Sequence, residues 1–376
     1  MHNVTNQFEE VLREKKVLLV FLVVLCLVGI VMVLSASYQF SKGHAGDSLY
    51  FFSKQVMFFL LSVGLAFVCE KVKPSFWTKF SGPVHSFFIF VTMMSFMPGL
   101  GVVRNGARRW IDLGFISFQP AEFLKFSVIP FALIFFEEFS YRTPKENLKR
   151  LGVLLFPTLL LALQPDFGTF AIYIILVGFV CFISSFPRKY FIGISLVSVT
   201  TLALMAISQP YRIKRLLIFL DPWKDPTDSG FQITQSLMAV ANGSFLGQGL
   251  GNSLGKLHYL PEAHNDFIFS IIGEEAGFIG VVITTLLFFA FMYHGFKLSR
   301  TLHNDYRSKI IAGIVFVISL QAFLNMGVVL SLLPTKGLNL PFISYGGSSL
   351  IANFFGIGIL FSLCSRKEFF DRHADH

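Results

Sequence analysis

Charge is scarce in this sequence. Only 14% of its 376 residues are Asp, Glu, Lys or Arg, against roughly 25% in an ordinary soluble domain. With 54% apolar residues and a mean hydropathy of +0.65, the chain is too apolar for a water-facing fold of this length. Cysteine is equally sparse. Cys26, Cys69, Cys181 and Cys364 all fall inside apolar runs without paired spacing, so neither a disulfide framework nor a thiolate metal site is implied. No small-residue cleavage site follows the first apolar run, which comes after Arg13, Lys15 and Lys16 and reads as an uncleaved signal anchor. Phosphate-binding glycine motifs are absent too. Gly247-Gln248-Gly249-Leu250-Gly251 lacks the final spacing of a dinucleotide fingerprint, and Gly255-Lys256 has no glycine five residues upstream.

What is abundant is membrane-compatible sequence, including 47 Phe. Apolar runs of about 20 residues, enough to cross a bilayer, recur along the chain near 17–37, 55–69, 80–98, 120–137, 151–165, 168–186, 190–208, 267–294, 309–331 and 343–363. The fifth is short. Joining it to the sixth would make a helix of about 54 Å, longer than a bilayer requires, and Gln164-Pro165-Asp166-Phe167-Gly168 supplies a break. A helical hairpin follows, and ten spans in all. The net charge of +9 does not signal nucleic acid, because most of the 31 basic residues sit in alternate short connections. That distribution places both termini in the cytoplasm. The expected fold is an all-α polytopic membrane protein of ten transmembrane helices, with a large extracytoplasmic loop at about 209–266 between spans 7 and 8. Residues 1–16 and 366–376 are read as cytoplasmic tails of a 17–365 membrane domain.

Basic residues retained outside work against the topology signal, which makes them informative. The 209–266 loop is too long for a simple turn; Phe231 to Asn242 is expected to form a short helix and Gly243 to Gly255 a flexible or tightly turning loop. Glu122 and Lys125 lie three apart at the start of the fourth span, on one helix face, where a structural pair and a functional role are equally open. Glu274 and Glu275 lie two turns into the eighth span, where packing or folding is the favoured role. Trp110, Trp223 and Tyr259 read by default as interfacial anchors.

Asn105-Gly106-Ala107-Arg108-Arg109-Trp110-Ile111, Gln119-Pro120-Ala121-Glu122 with Lys125, and Gln164-Pro165-Asp166-Phe167-Gly168-Thr169 resemble outside motifs of the SEDS family of cell-wall polymerases (FtsW, RodA and SpoVE). Tyr211-Arg212 to Arg215, Asp221-Pro222-Trp223, Tyr259-Leu260-Pro261-Glu262-Ala263-His264-Asn265-Asp266, Leu333-Pro334-Thr335-Lys336-Gly337 and Pro341 to Ser349 continue the resemblance in order, over roughly 17–365. The Pro-Glu-Ala-His and Pro-Thr-Lys-Gly wordings are similar to the cell-division branch, FtsW. Asn265 departs from the family's usual Thr, but either residue can cap the next helix.

The resemblance implies a peptidoglycan glycosyltransferase that polymerises lipid II into glycan strands for septal wall synthesis, outside the cytoplasmic membrane. Such a transfer needs a base for the acceptor hydroxyl and cations for the departing pyrophosphate. Asp266 is the candidate base, with Glu262 and His264 beside it; on position alone it is an ordinary first-turn aspartate. Arg108, Arg109, Lys125, Arg212, Arg215 and Lys336 are the candidate cations. Lys336 and Arg108 rank first, Lys336 because Pro334 and Pro341 hold its loop. Trp110 and Glu122 complete the substrate-binding set. A divalent cation (Mg or Mn) would find oxygen ligands in Asp166, Glu262 or Asp266, although no motif demonstrates a site. The implied partners are a class B penicillin-binding protein transpeptidase and other divisome proteins, besides membrane lipids. Two alternatives stay open: a lipid II flippase, which needs charges through the membrane depth, and a non-catalytic division scaffold that recruits a transpeptidase.

Overall fold

The computed structural model describes residues 2–104, 106–112, 114, 117–207, 218–226, 230–253, 255, 263–302, 304–334 and 337–365. Among the described residues ten helices, of 14 to 44 residues, carry the expected spans: α1 (His2–Ala45), α2 (Tyr50–Lys71), α4 (Ser81–Met94), α5 (Ala121–Glu137), α6 (Pro144–Leu163), α7 (Phe167–Ile183), α8 (Arg188–Ile207), α10 (Ile268–Thr301), α11 (Asp305–Val329) and α12 (Gly347–Leu363). Two shorter helices, α3 (Pro74–Lys79) and α9 (Phe231–Asn242), join them. Large apolar side chains stand exposed around the rim, among them Leu60, Phe87, Leu159, Phe182, Leu196 and Leu286. Helices suit this setting because all their peptide hydrogen bonds are internal.

Local chemistry sets the helix ends. Thr143 caps α6 in a capping box, accepting from the Glu146 amide at 3.4 Å while Glu146 accepts from the Thr143 amide at 3.2 Å, with Pro144 at the first helical position. Its polar first turns place the start of α6 well before the expected residue 151, so the span that looked short is a 20-residue helix. Asp166 caps α7 and Asn304 caps α11. The break between α6 and α7 falls at Gln164 to Asp166, as the sequence indicates. The helix α1 runs back to His2, so the stretch expected as an N-terminal tail continues the first span as helix. Residues 366–376 lie outside the described residues.

The bundle is centred on α5, buried at every position from Phe123 to Phe136, and packed against α4, α6, α7, α11 and α12. A buried polar knot ties that core: His85 of α4 meets Ser127 of α5 at 2.9 Å and the Tyr173 hydroxyl of α7 at 3.3 Å, and that hydroxyl donates to the Leu154 carbonyl of α6. By contrast α8 has no buried residue among those described.

The all-α expectation holds for the membrane part, but the loop between α4 and α5 carries a small sheet. There β1 (Gly101–Arg104), β2 (Ala107–Asp112) and β3 (Ser117–Phe118) form an antiparallel sheet in that order. Arg104 pairs with Ala107, leaving a two-residue Asn-Gly connection with Gly106 at φ +74°, a sequence favoured in hairpins because both central residues need positive φ. Short apolar strands with a single Asn-Gly were overshadowed by the surrounding helical runs.

In the long loop, α9 forms at the expected residues, and the glycine run after it turns tightly. Gly247, Gly249 and Gly251 have φ of +85°, +90° and +86°. The run folds onto the first third of α10: the Gln248 and Gly249 amides donate to the Glu274 and Glu275 carbonyls, each at 3.0 Å. Glu274 accepts from the Ser253 hydroxyl and, at 3.1 Å, the Gly255 amide, and Glu275 accepts from Ser35 of α1 at 2.6 Å. Both carboxylates are 1% exposed and serve packing. At Gly277, with φ +67°, α10 kinks where the glycine run crosses it.

Close approach also fixes α1 against the chain before α12. A Cβ at Gly29 would lie 2.4 Å from the Phe342 carbonyl oxygen, so no side chain fits there. Gly29→Ala is expected to push the Pro341–Ile343 turn away from α1 and to destabilise the protein by about 1–3 kcal/mol, read as a lowered thermal midpoint in detergent.

Candidate functional site

Short connections make successive spans alternate in direction. One end of the bundle therefore gathers the 95–120 loop, the Gln164–Asp166 break, the 208–267 segment and the 330–346 loop. Asp266 sits at this end, half-buried, just before α10. Its neighbourhood is built by side-chain amides. Asn325 of α11 donates through Nδ2 to the Asp266 carbonyl at 2.8 Å and to the Leu338 carbonyl at 2.5 Å. One turn earlier, Gln321 donates to the Asn339 carbonyl at 2.9 Å. Asn339 donates to the Tyr345 carbonyl at 2.8 Å, and the Tyr345 amide donates to the His264 carbonyl at 2.9 Å. Gln55 of α2 reaches the Ser344 carbonyl at 3.3 Å. The 338–345 loop is thus fastened to the 264–266 turn from three sides.

Contact with the carboxylate itself comes from Gly337. A Cβ there would lie 2.6 Å from Asp266 Oδ2, so the end of the Pro-Thr-Lys-Gly motif lies directly against the Asp266 side chain. Lys336 lies outside the described residues, as do Arg212, Arg215 and Glu262.

The Glu122–Lys125 pair joins the same framework from below. Lys125 is 2% exposed; its ammonium contacts Glu122 Oε2 at 2.6 Å and Gln321 Oε1 at 2.5 Å. The sequence left this pair open between structure and substrate. Its burial commits Lys125 to Glu122 and Gln321 rather than to a ligand at the surface. A buried ammonium kept charged needs such partners, and here they set the Gln321 amide that holds Asn339.

His264 is likewise buried, 5% exposed. Its ring packs among Phe40, Phe51 and Tyr345, with centroids 5.0, 4.9 and 5.7 Å away. Loss of hydration pushes its pKa down to about 4, so at neutral pH it is an uncharged wall and not a phosphate-binding cation.

Arg108, Arg109 and Trp110 share β2 but not a role. Val102 pairs with Trp110 and Val103 with Arg108, which leaves Arg109 as the extra residue of a β-bulge, a device that re-aims a side chain. Arg109 Nη1 lies 3.7 Å from Asp166 Oδ1. Arg108 is exposed and Trp110 half-buried. Asp166 is 6% exposed and accepts from Gln119 Nε2 at 3.2 Å, the Thr169 hydroxyl at 2.9 Å and the Thr169 amide at 3.2 Å. With both oxygens taken by donors and an arginine beside it, Asp166 does not fit as a metal ligand. Among the described residues no group of three His, Cys, Asp or Glu side chains converges on a metal position. This second cluster connects to α12 through Ser348, which accepts from the Gln119 amide at 3.0 Å.

Gln55, Gln119, Gln321, Asn325 and Asn339 were missed by a reading that tracked charge. Their signal was an uncharged amide inside or beside an apolar span, where polar side chains serve as interhelical hydrogen-bonding groups.

Two outcomes follow from this geometry. Asn325→Leu, which removes the amide donor shared by the Asp266 and Leu338 carbonyls, is expected to destabilise the protein by about 2–5 kcal/mol and to increase hydrogen exchange in the 264–266 and 338–345 segments. The unfolded chain protonates His264 below about 6.5 and the folded protein only below about 4. Its contribution to stability is therefore complete above pH 6.5 and falls as the pH drops through that window. Thermal unfolding between pH 7.5 and 4.5 checks this, because His264→Phe is expected to remove that part of the pH dependence.

Residues 16–368 match the family described as cell cycle protein, FtsW/RodA/SpoVE. The chain is 42% identical over 338 residues to a probable peptidoglycan glycosyltransferase FtsW of Saccharophagus degradans, covering 87% of this chain and 86% of that protein. It is 39% identical to the protein of the same name in Nitrosomonas europaea, with 92% of each covered. Among solved structures it superposes on a chain from a study of the structural coordination of polymerization and crosslinking by a peptidoglycan synthase complex, with a TM-score of 0.73, 27% identity, and 92% of this chain and 96% of that one covered. RodA of Thermus thermophilus shares the fold, with a TM-score of 0.68, 24% identity, and 92% and 95% covered. With its ten spans, its motifs in order and matches across nearly its whole length, the chain belongs to the FtsW/RodA/SpoVE family.

Proposed function

We propose that this protein is a membrane-embedded peptidoglycan glycosyltransferase that polymerises lipid II during cell division, with Asp266 as general base. Relatives 36–42% identical carry the glycosyltransferase name, and the observation supporting the site is the contact of Gly337 with the Asp266 carboxylate. It joins the two motifs that the chemistry needs: one supplies a base and the other, through Lys336, a cation.

In the transfer, the acceptor sugar hydroxyl attacks the anomeric carbon of the donor. The new glycosidic C–O bond forms as the bond to the undecaprenyl pyrophosphate breaks, the hydroxyl proton passes to Asp266, and the lipid pyrophosphate departs with the bonding electrons. Asp266 suits the role because it is half-buried at the mouth of α10, where a donor anchored in the bilayer meets an acceptor from water. Its backbone is fixed by Asn325, so the carboxylate is positioned in advance of substrate. Arg108, exposed on the sheet, is the described cation placed to meet a pyrophosphate; Lys336, Arg212 and Arg215 are proposed to share that work. Glu122, Lys125 and His264 act as positioning residues beneath the site.

Both termini are proposed to be cytoplasmic and the site extracytoplasmic, at the division septum. The solved relative belongs to a peptidoglycan synthase complex, which supports assembly with a class B penicillin-binding protein that crosslinks the strands.

Purified protein supplied with lipid II and its transpeptidase partner tests the reading. Wild-type protein is expected to make glycan strands. Asp266→Ala is expected to lower the rate about 10²–10⁴-fold without loss of fold. Gly337→Ala, which places a methyl group against the carboxylate, is expected to lower it at least about tenfold. Near-normal polymer from Asp266→Ala would overturn the assignment, and lipid translocation without polymer would establish a flippase instead.

A further inference from the structure

The opposite end of the bundle, which carries the connections after α2, α5 and α10, has a concave surface that polymerisation does not use. A cavity of about 610 Å³ opens there, lined by Lys79, Arg142, Arg150 and Arg307 with Glu138 and Tyr306. Four cations face one carboxylate. Basic residues at such ends ordinarily serve topology by projecting into water, but these do not all project. Arg307 is 7% exposed. Arg142 binds Glu138 through Nη2, while its Nη1 is buried with no hydrogen-bond partner among the described residues.

An unsatisfied buried guanidinium nitrogen is costly, and the charge around it adds to the cost. Loss of hydration and then the repulsion of Arg150 push the Arg142 pKa down. An anion with several acceptor oxygens relieves both at once. Phosphate suits the arrangement, because guanidinium groups pair with it bidentately, and the volume lies in the range of small-molecule pockets.

A second feature narrows the ligand. The α3–α4 elbow that walls this cavity is apolar on its other side, where Phe76, Phe80, Val84, Phe87 and Phe88 line a groove of about 370 Å³. Pro83 borders both spaces. Phe80 and Phe87 are exposed. A free phosphate needs only the basic cavity; a cationic cavity that meets an apolar groove over a single residue matches a phosphate carrying an acyl chain.

We propose that the α3–α4 elbow is a binding site for an anionic phospholipid, with the phosphate among Arg142, Arg150 and Arg307 and an acyl chain along the Phe76–Phe87 groove. The lipid draws together the start of α4, the α5–α6 connection and the start of α11, and so braces this end of the bundle. Residues of the Asp266 site take no part. The site is independent of the polymerase reading.

The full-length protein in nanodiscs of phosphatidylglycerol or of phosphatidylcholine provides the test, read by native mass spectrometry of retained lipid and by thermal unfolding. Phosphatidylglycerol is expected to be retained in preference and to raise the unfolding midpoint. Arg142→Gln/Arg150→Gln is expected to reduce that retention at least about tenfold. Lys145→Gln/Lys149→Gln makes the same charge change on exposed positions of α6 and is expected to leave it unchanged. Should the arginine double variant fail to fold, Arg150→Gln alone is expected to lower retention, and Phe80→Ser/Phe87→Ser supplies a second arm that leaves every charge in place. Equal losses in the arginine and lysine variants would overturn the site in favour of diffuse attraction. Stabilisation by inorganic phosphate equal to that by phosphatidylglycerol, or retention unaffected by the phenylalanine variant, would overturn the lipid in favour of a free anion. No preference over phosphatidylcholine would overturn it altogether.

Discussion

Non-helical chain at the end of a membrane bundle must have its peptide groups hydrogen-bonded, and in this protein one asparagine bears most of that constraint. Asn325 holds the Asp266 and Leu338 carbonyls with a single amide group. These segments come from opposite sides of α11 in the sequence and have no secondary structure in common. In an apolar setting each unmet carbonyl costs free energy, so the fold is stable only when α11 presents its amides at this height. Gln321, one turn away, repeats the device for Asn339. The position of the carboxylate is therefore a consequence of backbone satisfaction.

Six charged groups at the same end have structural work. Arg109 and Asp166 fasten the small sheet to the start of α7. Glu122 and Lys125 neutralise each other and orient Gln321. Glu274 and Glu275 anchor the glycine run and α1 to α10. Each of these groups is buried or nearly so, and a buried charge is tolerated only with partners. Arg108, by contrast, is exposed on the sheet, and Asp266 is half-buried. Packing has thus separated these partnered groups from Arg108 and Asp266, to which the proposed transfer assigns its chemistry.

The two ends of the bundle handle charge differently. Around Asp266 the loop backbones are tied by the Asn325, Gln321 and Asn339 amides, an arrangement suited to holding a reacting group. At the basic end Arg142, Arg150 and Arg307 crowd a cavity beside one Glu138, an arrangement that favours an anion from outside. Both follow from one physical rule, that charge removed from water must find an opposite charge or a hydrogen-bonding partner.

Ten spans were legible because crossing a bilayer demands only length and apolar composition, both local properties. The α6–α7 break and α9 were legible for the same reason, since Pro165 and the period of residues 231–242 act within a few positions. Asp266, Arg108 and the motif around Lys336 were singled out by the resemblance of their motifs to the SEDS family. Contact was not legible. Asn325 and Asp266 are 59 residues apart, and no periodicity relates them; nor does anything in Arg108-Arg109 tell which faces water, because a bulge in the pairing with β1 decides it. The sequence by itself determined what crosses the membrane and which residue types stand together at one end of the bundle. Tertiary structure alone decided which of those residues are consumed by partners and which are left for substrate, because that choice depends on burial, and burial is set by the whole fold.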